Sequence, residues 1–171
     1  LISFAATVPT IPSIYNNYKR IVQTATHVMI LQEMVHDARI IRIDSEQTPE
    51  GNRKSLGDST AHWEGDVLVV ETSRFGKMNG LPGADENLRV VERFSRTEEG
   101  DLYYDFTVSD ETAWAAPWSG RYTWQSKPAS KVYEYACHEG NYAMGNILRG
   151  ARLLEAEWDA PPKSTDSPSG D

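Results

Sequence analysis

Residues 62–72 of the chain read HWEGDVLVVET, and this stretch decides the fold class. Glu64-Gly65-Asp66 is a turn signal, because glycine readily adopts the positive φ angles that tight hairpin turns require. Apolar residues flank the turn, with Trp63 before it and the run from Val67 to Val70 after it. The pattern predicts a β-hairpin, which belongs to an antiparallel sheet.

The segment from Asn87 to Arg96 predicts another strand, because its apolar and polar side chains alternate between two faces. Leu88, Val90, Glu92 and Phe94 share one face, which we expect to point inward. Other short apolar runs bounded by turn residues predict further strands over residues 18–23, 26–34, 38–44, 102–108 and 132–137, and residues 114–125 supply aromatic side chains around Pro117.

Strands in this number, without alternating helices, predict an all-β fold, namely an antiparallel β-barrel of lipocalin-like shape. A barrel of about eight strands has an interior large enough for one small ligand. A sandwich of two sheets is the structural alternative. Residues 141–158 carry apolar side chains at helical spacing and predict a C-terminal helix.

The length of 171 residues suits a single domain. We expect residues 1–15 to form an irregular N-terminal arm, because Pro9 and Pro12 cannot donate to a strand ladder. Residues 16–158 are predicted to form the barrel domain with its helix. Residues 159–171 are rich in Pro, Ser and Gly, which predicts a disordered tail.

The composition narrows the class of partner. A net charge of -8 disfavours nucleic acid, because phosphate binding needs clustered Lys and Arg. The single cysteine, Cys137, cannot form an internal disulfide. No apolar run reaches the ~18 residues of a membrane span, and the first residues lack the basic region of a signal peptide. We expect a small organic molecule as partner, and a homo-oligomer is compatible with the sequence.

Three segments are similar to the motifs of a known family. They are GDSTAHWEGDVLVVET at residues 57–72, ENLRVVERF at 86–94 and YEYACHEGNY at 133–142. They resemble GDSxGHWEGDTLVVDT, ENLHVVERF and YEYACHEGNY of a largely uncharacterised bacterial family whose members often carry export signals. The resemblance implies a shared architecture and a periplasmic or secreted location, but no activity. Ala61 stands where the family usually has Gly.

The junction between the last predicted strand and the helix carries one candidate site. It contains His138 and Glu139, followed by Asn141 and Tyr142. A loop at a barrel mouth can aim such side chains at a ligand, and histidine exchanges protons near neutral pH. In the alternative interpretation, Asn141 caps the helix and its neighbours satisfy backbone groups.

A second candidate is the sequence HDAR at residues 36–39. A carboxylate beside the His36 imidazole can fix its tautomer and raise its basicity. Arg39 can hold an anion by paired hydrogen bonds. A structural ion pair at the end of a strand is the alternative.

Glu92 is a third candidate, because it shares the inward face of its strand with apolar residues. A buried carboxyl group has a raised pKa and can act as a general acid or base. The alternative is that Glu92 pairs with a buried arginine such as Arg39.

Aromatic residues supply the predicted ligand contacts. Trp114, Trp118 and Tyr122 are candidates to line a pocket, although core packing is the default for such side chains. Trp63 is expected in the core, and His62 near the surface.

These residues support two main hypotheses. In the first, the protein is an enzyme of lyase, isomerase, dehydratase or hydrolase type, with His36, His138, Glu92, Glu139 and Arg39 in acid-base chemistry. In the second, it is a lipocalin-like protein that binds a small hydrophobic ligand without catalysis. An interaction module with a filled core is a third. A polar cavity holding two or more of the His and Glu candidates would favour the enzyme, and an apolar cavity would favour carriage.

No cofactor is expected, but a divalent metal is compatible with the histidines. If His36 and His138 meet, Glu33 or Glu139 would complete a zinc or copper site. The sequence contains no HExxH motif, so the metal signal is weak.

Overall fold

A computed structural model of the protein describes residues 7–13, 17–49, 51–77, 81–134, 136, 139–140 and 142–159. The chain divides into two compact units, residues 1–135 and residues 136–171. The first unit holds every described strand, and the second holds one helix. His138, Asn141, Cys137 and nearly all of the predicted tail lie outside the described residues.

The first unit is a single eight-stranded sheet that curves into a half-barrel. Its strands are β1 Lys19–Gln23, β2 His27–Gln32, β3 Ala38–Ile43, β4 Asp58–Glu64, β5 Val67–Ser73, β6 Arg89–Arg96, β7 Leu102–Ser109 and β8 Trp118–Trp124. They lie side by side in sequence order, so β1 and β8 are the two outermost strands. The prediction of an all-β barrel of about eight strands is confirmed.

The β4–β5 hairpin forms where residues 62–72 predicted it. Trp63 lies opposite Leu68, and the turn between the strands contains Gly65 at a φ of 59°. That positive φ is the reason for a glycine at this position, because side chains with a Cβ rarely adopt it.

One pair of strands departs from the antiparallel prediction. Six of the seven neighbouring pairs are antiparallel, but β3 and β4 run parallel, with Ile41 opposite Ser59. Parallel neighbours need a connection that returns along the sheet. The polar segment between Ile43 and Asp58 supplies that connection.

The concave face of the sheet carries the core. On β6 the predicted alternation is observed: Val90 and Phe94 are 1% and 7% exposed, whereas Val91 between them is 39% exposed. Facing strands contribute Val28, Ile41, Val70, Tyr104, Phe106 and Val108 to the same cluster. Burial of this apolar surface is the main force that holds the sheet in its curve.

The described part of the N-terminal arm is irregular, as predicted, and it packs on the core. Val8 is buried, and the backbone N–H of Thr10 donates to the Tyr104 hydroxyl at 2.9 Å. This hydrogen bond ties the arm to the middle of β7.

The predicted strand over residues 132–137 is wrong for the residues of that range that the structure describes. Residues 132–134 and 136 have no strand conformation, and Tyr133 is 71% exposed. The chain turns away after β8, where the N–H of Ser130 donates to the carbonyl of Lys127 at 3.0 Å. Pro128 occupies the second position of this turn, where its fixed φ is favoured.

The second unit contains the predicted C-terminal helix, α1 Ala143–Trp158. Met144, Ile147, Leu148 and Leu154 give it an apolar stripe at helical spacing. No helix in the described part of the chain is long and apolar enough to cross a membrane.

Candidate functional site

Arg39 and Glu92 meet at the centre of the half-barrel. Arg39 opens the buried face of β3, and Glu92 lies in the middle of β6, fully buried. The two guanidinium Nη atoms each donate to one carboxylate oxygen, with Nη1 at 3.0 Å from Oε1. Such a two-point pair fixes both planes and is among the stronger ion pairs in proteins. The alternative interpretation of Glu92, as the partner of a buried Arg39, is confirmed.

Neighbouring hydroxyl groups complete the pair. Arg39 Nε donates to Ser59 Oγ at 3.0 Å, and Arg39 Nη2 donates to Thr72 Oγ1 at 2.6 Å. The Tyr104 hydroxyl donates to Glu92 Oε1 at 2.7 Å. Burial raises the pKa of the Tyr104 phenol well above its ordinary value, and the adjacent Glu92 raises it further. Tyr104 therefore keeps its proton and remains a donor.

This buried network leaves little capacity for chemistry. Each atom of the Arg39 fork and at least one Glu92 oxygen already has a protein partner. An ion pair out of water retains its charges only when such partners surround it. We conclude that the network holds β3, β4, β5, β6 and β7 together.

The other catalytic candidates are His36, Glu139 and His138. His36 ends a short 3-10 helix, Met34–His36, with a φ of 44°, and it is exposed. Glu139 is exposed in the second unit, and His138 lies outside the described residues. Among the residues that are described, no group of His, Cys, Asp and Glu is arranged to hold a metal ion.

A cavity of about 1330 Å³ lies in the first unit and is bordered by both outermost strands. Its apolar wall comes from the inner face of the sheet: Val28, Ile30, Leu68, Phe94, Leu102 and Trp124. Residues 125–132, which follow β8, form another wall. The Tyr18 hydroxyl beside β1 donates to the carbonyl of Lys127 at 3.3 Å, so the two sides approach closely.

Lys19 enters this cavity from β1. Its ammonium group lies 5.3 Å from the centre of the Trp124 ring, within cation–π range. Nζ also donates to the carbonyl of Asn17 at 3.3 Å. Burial removes much of the hydration of the Lys19 ammonium, and this lowers the pKa of Lys19 to about 8.

The aromatic candidates divide between cavity and core. Tyr122 borders the cavity, as predicted for a ligand contact. Trp114 and Trp118 instead pack edge-to-face, with their ring centres 5.8 Å apart, and Trp118 also packs against the Phe106 ring. Tyr142 is exposed just before α1, in the second unit, and Asn141 is not described.

Trp63 and Lys19 show what the sequence analysis missed. Trp63 was expected in the core, but it is 44% exposed and borders the cavity. Its place at the end of β4, one residue before the turn, explains this exposure. No local sequence pattern distinguishes Lys19 from other strand residues. Its position at the cavity depends on the approach of β1 to the chain after β8, which is far away in sequence.

Fold and site together define an eight-stranded half-barrel with an open interior cavity, a class that includes proteins for small-molecule binding. No family model, no curated protein and no solved structure matches this chain.

Proposed function

We propose that the protein binds a small molecule with an apolar body in the cavity between β1 and β8, without catalysis. The observation that carries the proposal is the cavity of about 1330 Å³, with its wall of aliphatic and aromatic side chains. Small-molecule sites usually occupy about 300–1,000 Å³, so space does not limit a ligand here. If the resemblance to exported bacterial proteins holds, this binding takes place outside the cytoplasm.

Binding is favoured over acid-base catalysis because of where the titratable residues lie. His36 and Glu92 are not among the described residues that border the cavity. Arg39 and Glu92 are occupied by each other and by hydroxyl groups. The acid-base enzyme stays a prediction that depends on His36 and His138, and it would fail if both His36→Ala and His138→Ala keep full turnover in an activity screen.

The proposal is tested with N-phenyl-1-naphthylamine, an uncharged probe whose fluorescence rises in apolar surroundings. We expect saturable binding to the full chain. The variant Ile21→Trp places a larger side chain on the cavity wall and should weaken binding about tenfold or more.

Ile40→Trp is the matched control, because Ile40 is 50% exposed on β3 and does not border the cavity, whereas Ile21 is 42% exposed and does. Its probe affinity should equal that of the unchanged protein. Absence of saturable binding in a chain with an intact near-ultraviolet circular dichroism spectrum would overturn the proposal. Equal weakening by both variants would also overturn it.

A further inference from the structure

Positive charge is concentrated around the cavity. Five cationic residues and one carboxylate, Asp66, are among the described residues that border it. The cationic residues are Lys19, Arg20, Arg96, Lys127 and Lys131. The whole chain has the opposite balance, with 17 Lys and Arg against 25 Asp and Glu. Arg20 lies on the face of β1 opposite to Lys19 and Ile21, so the other four cations are the ones whose charge at the cavity opposes the net charge of the protein.

These cations have no carboxylate partner among the described residues. None of the ion pairs formed among the described residues includes one of the five; those pairs use Arg39, Arg42, His62, Arg74, Arg93 and Arg121. Arg96 is held at the rim by a hydrogen bond from Nη1 to the carbonyl of Gly100, at 2.8 Å. Like charges lining an apolar cleft focus the field on whatever enters it.

Lys19 lies deepest of the five. It is half-buried, whereas the other four cationic residues are exposed. Lysine has three N–H donors, and among the described residues the only acceptor that Nζ contacts is the Asn17 carbonyl. The Trp124 ring, whose centre lies 5.3 Å from Nζ, supplies an apolar surface beside it.

We propose that the ligand is an anionic amphiphile. Its carboxylate or similar head group is bound by Lys19 and the exposed cations at the cavity, while its apolar body contacts the apolar wall that includes Leu68 and Trp124. This inference rests on the proposed binding function and names the class of ligand. A desolvated ammonium gains more from an anion than a hydrated one does, because the local dielectric is lower.

The test uses three probes with ten-carbon chains: decanoate, whose carboxylate carbon is one of the ten, 1-decanol and decyltrimethylammonium. Each displaces N-phenyl-1-naphthylamine from the full chain, below its micelle concentration and at low salt. We expect decanoate to bind about tenfold or more tightly than 1-decanol, because a charge-assisted hydrogen bond adds to the same apolar contact. The cationic probe should bind most weakly.

Lys19→Met tests the deepest cation, and Lys54→Met is its matched control, because Lys54 is exposed and does not border the cavity. We expect the Lys19 variant to lose about five- to tenfold in decanoate affinity while its 1-decanol affinity stays constant. Lys54→Met should leave both affinities unchanged, and Lys19→Arg should restore decanoate binding.

The results separate the two proposals. If 1-decanol and decanoate bind equally well, the cavity binds ligands but the anionic class is wrong. Equal loss of decanoate affinity in the two Met variants would also refute the role of Lys19. If none of the probes displaces the dye or binds, the proposed function itself fails.

Discussion

Arg39 and Glu92 are the residues on which the centre of the sheet depends. In Glu92→Gln, Arg39 remains buried without a charged partner, and we expect a loss of about 3–5 kcal/mol in the free energy of unfolding. The double variant Arg39→Met with Glu92→Leu removes both charges at similar volume, and should be clearly more stable than the single variant. Urea unfolding of the three proteins measures this, and a double variant as unstable as Glu92→Gln would contradict it.

Asp58, on the convex side of the sheet, makes a pH-dependent contribution to the stability of the fold. Burial by itself would raise the pKa of Asp58, but hydrogen bonds from the Arg42 guanidinium and the Thr48 backbone N–H outweigh it and lower that pKa to about 2. The unfolded value is about 3.9. Because the folded pKa is the lower one, the contribution is complete above about pH 4 and is lost as the pH falls towards 2.

We therefore expect Asp58 to contribute about 1–2 kcal/mol to stability at neutral pH, and to lose it on acidification. Denaturant unfolding of the protein and of Asp58→Asn, at pH values from 2 to 6, measures the contribution. The stability difference between the two proteins should shrink as the pH falls. A constant difference over this range would show that Asp58 has no lowered pKa.

At the scale of the element, Gly57 immediately precedes β4 and lies against Thr72 and Ser73 at the end of β5. Its φ is +69°, and a Cβ there would lie 2.7 Å from Thr72 Cγ2 and 2.8 Å from the Ser73 carbonyl oxygen. Gly65 has a similar φ of +59° but open space around it. Both glycines therefore have a positive φ that would strain an alanine, but only at Gly57 would the added Cβ meet neighbouring atoms.

We expect Gly65→Ala to cost about 1 kcal/mol, for the positive φ alone. Gly57→Ala should cost about 1–3 kcal/mol more, since the carbonyl of Ser73 is backbone and cannot move aside easily. Thermal unfolding of both variants gives the comparison. Equal losses would mean that β4 and β5 are not in contact at this point.

Elements with a strong local pattern were predictable from the sequence. Which strands pair, and in which direction, was not fully predictable. The turn at Gly65 and the alternation on β6 both follow from neighbouring residues. The parallel direction of β4 depends on how residues 44–57 return along the sheet, which no short pattern contains. The same holds for the strand expected at 132–137: the apolar run favours a strand, but residues 132–134 and 136, the described residues of that range, have no strand conformation.

The candidate site divides in the same way. The pairing of Arg39 with Glu92 was foreseeable, because both occupy inward positions of predicted strands and a buried charge requires a partner. The cations around the cavity were not foreseeable. Lys19 and Lys127 lie at the two ends of the sheet's sequence, and only the curvature of the whole half-barrel brings them to one cavity.

At the scale of the whole molecule, anion binding should depend on pH through Lys19. Its pKa of about 8 in the free protein implies a charged ammonium at pH 7 and a largely neutral amine above pH 9. A bound anion favours the charged form, so decanoate affinity should be constant below pH 8 and fall as the pH rises above it. The other charged groups at the cavity are Arg20, Asp66, Arg96, Lys127 and Lys131.

Dye displacement by decanoate between pH 7 and pH 9.5 measures this dependence. Lys19→Arg keeps its charge throughout, so its decanoate affinity should stay flat over the range. A decline of the same size in that variant would assign the effect to other groups.

Amide chemical shifts of the isotope-labelled full chain, titrated with decanoate, locate the ligand directly. We expect saturable changes in Lys19–Gln23 and in residues 122–132, with little change along Ala38–Ile43, which does not border the cavity. Ligand binding between β1 and the chain after β8 would then be established. Saturable changes confined to β3 and β4, or none at all in a folded sample, would contradict a ligand site in this cavity.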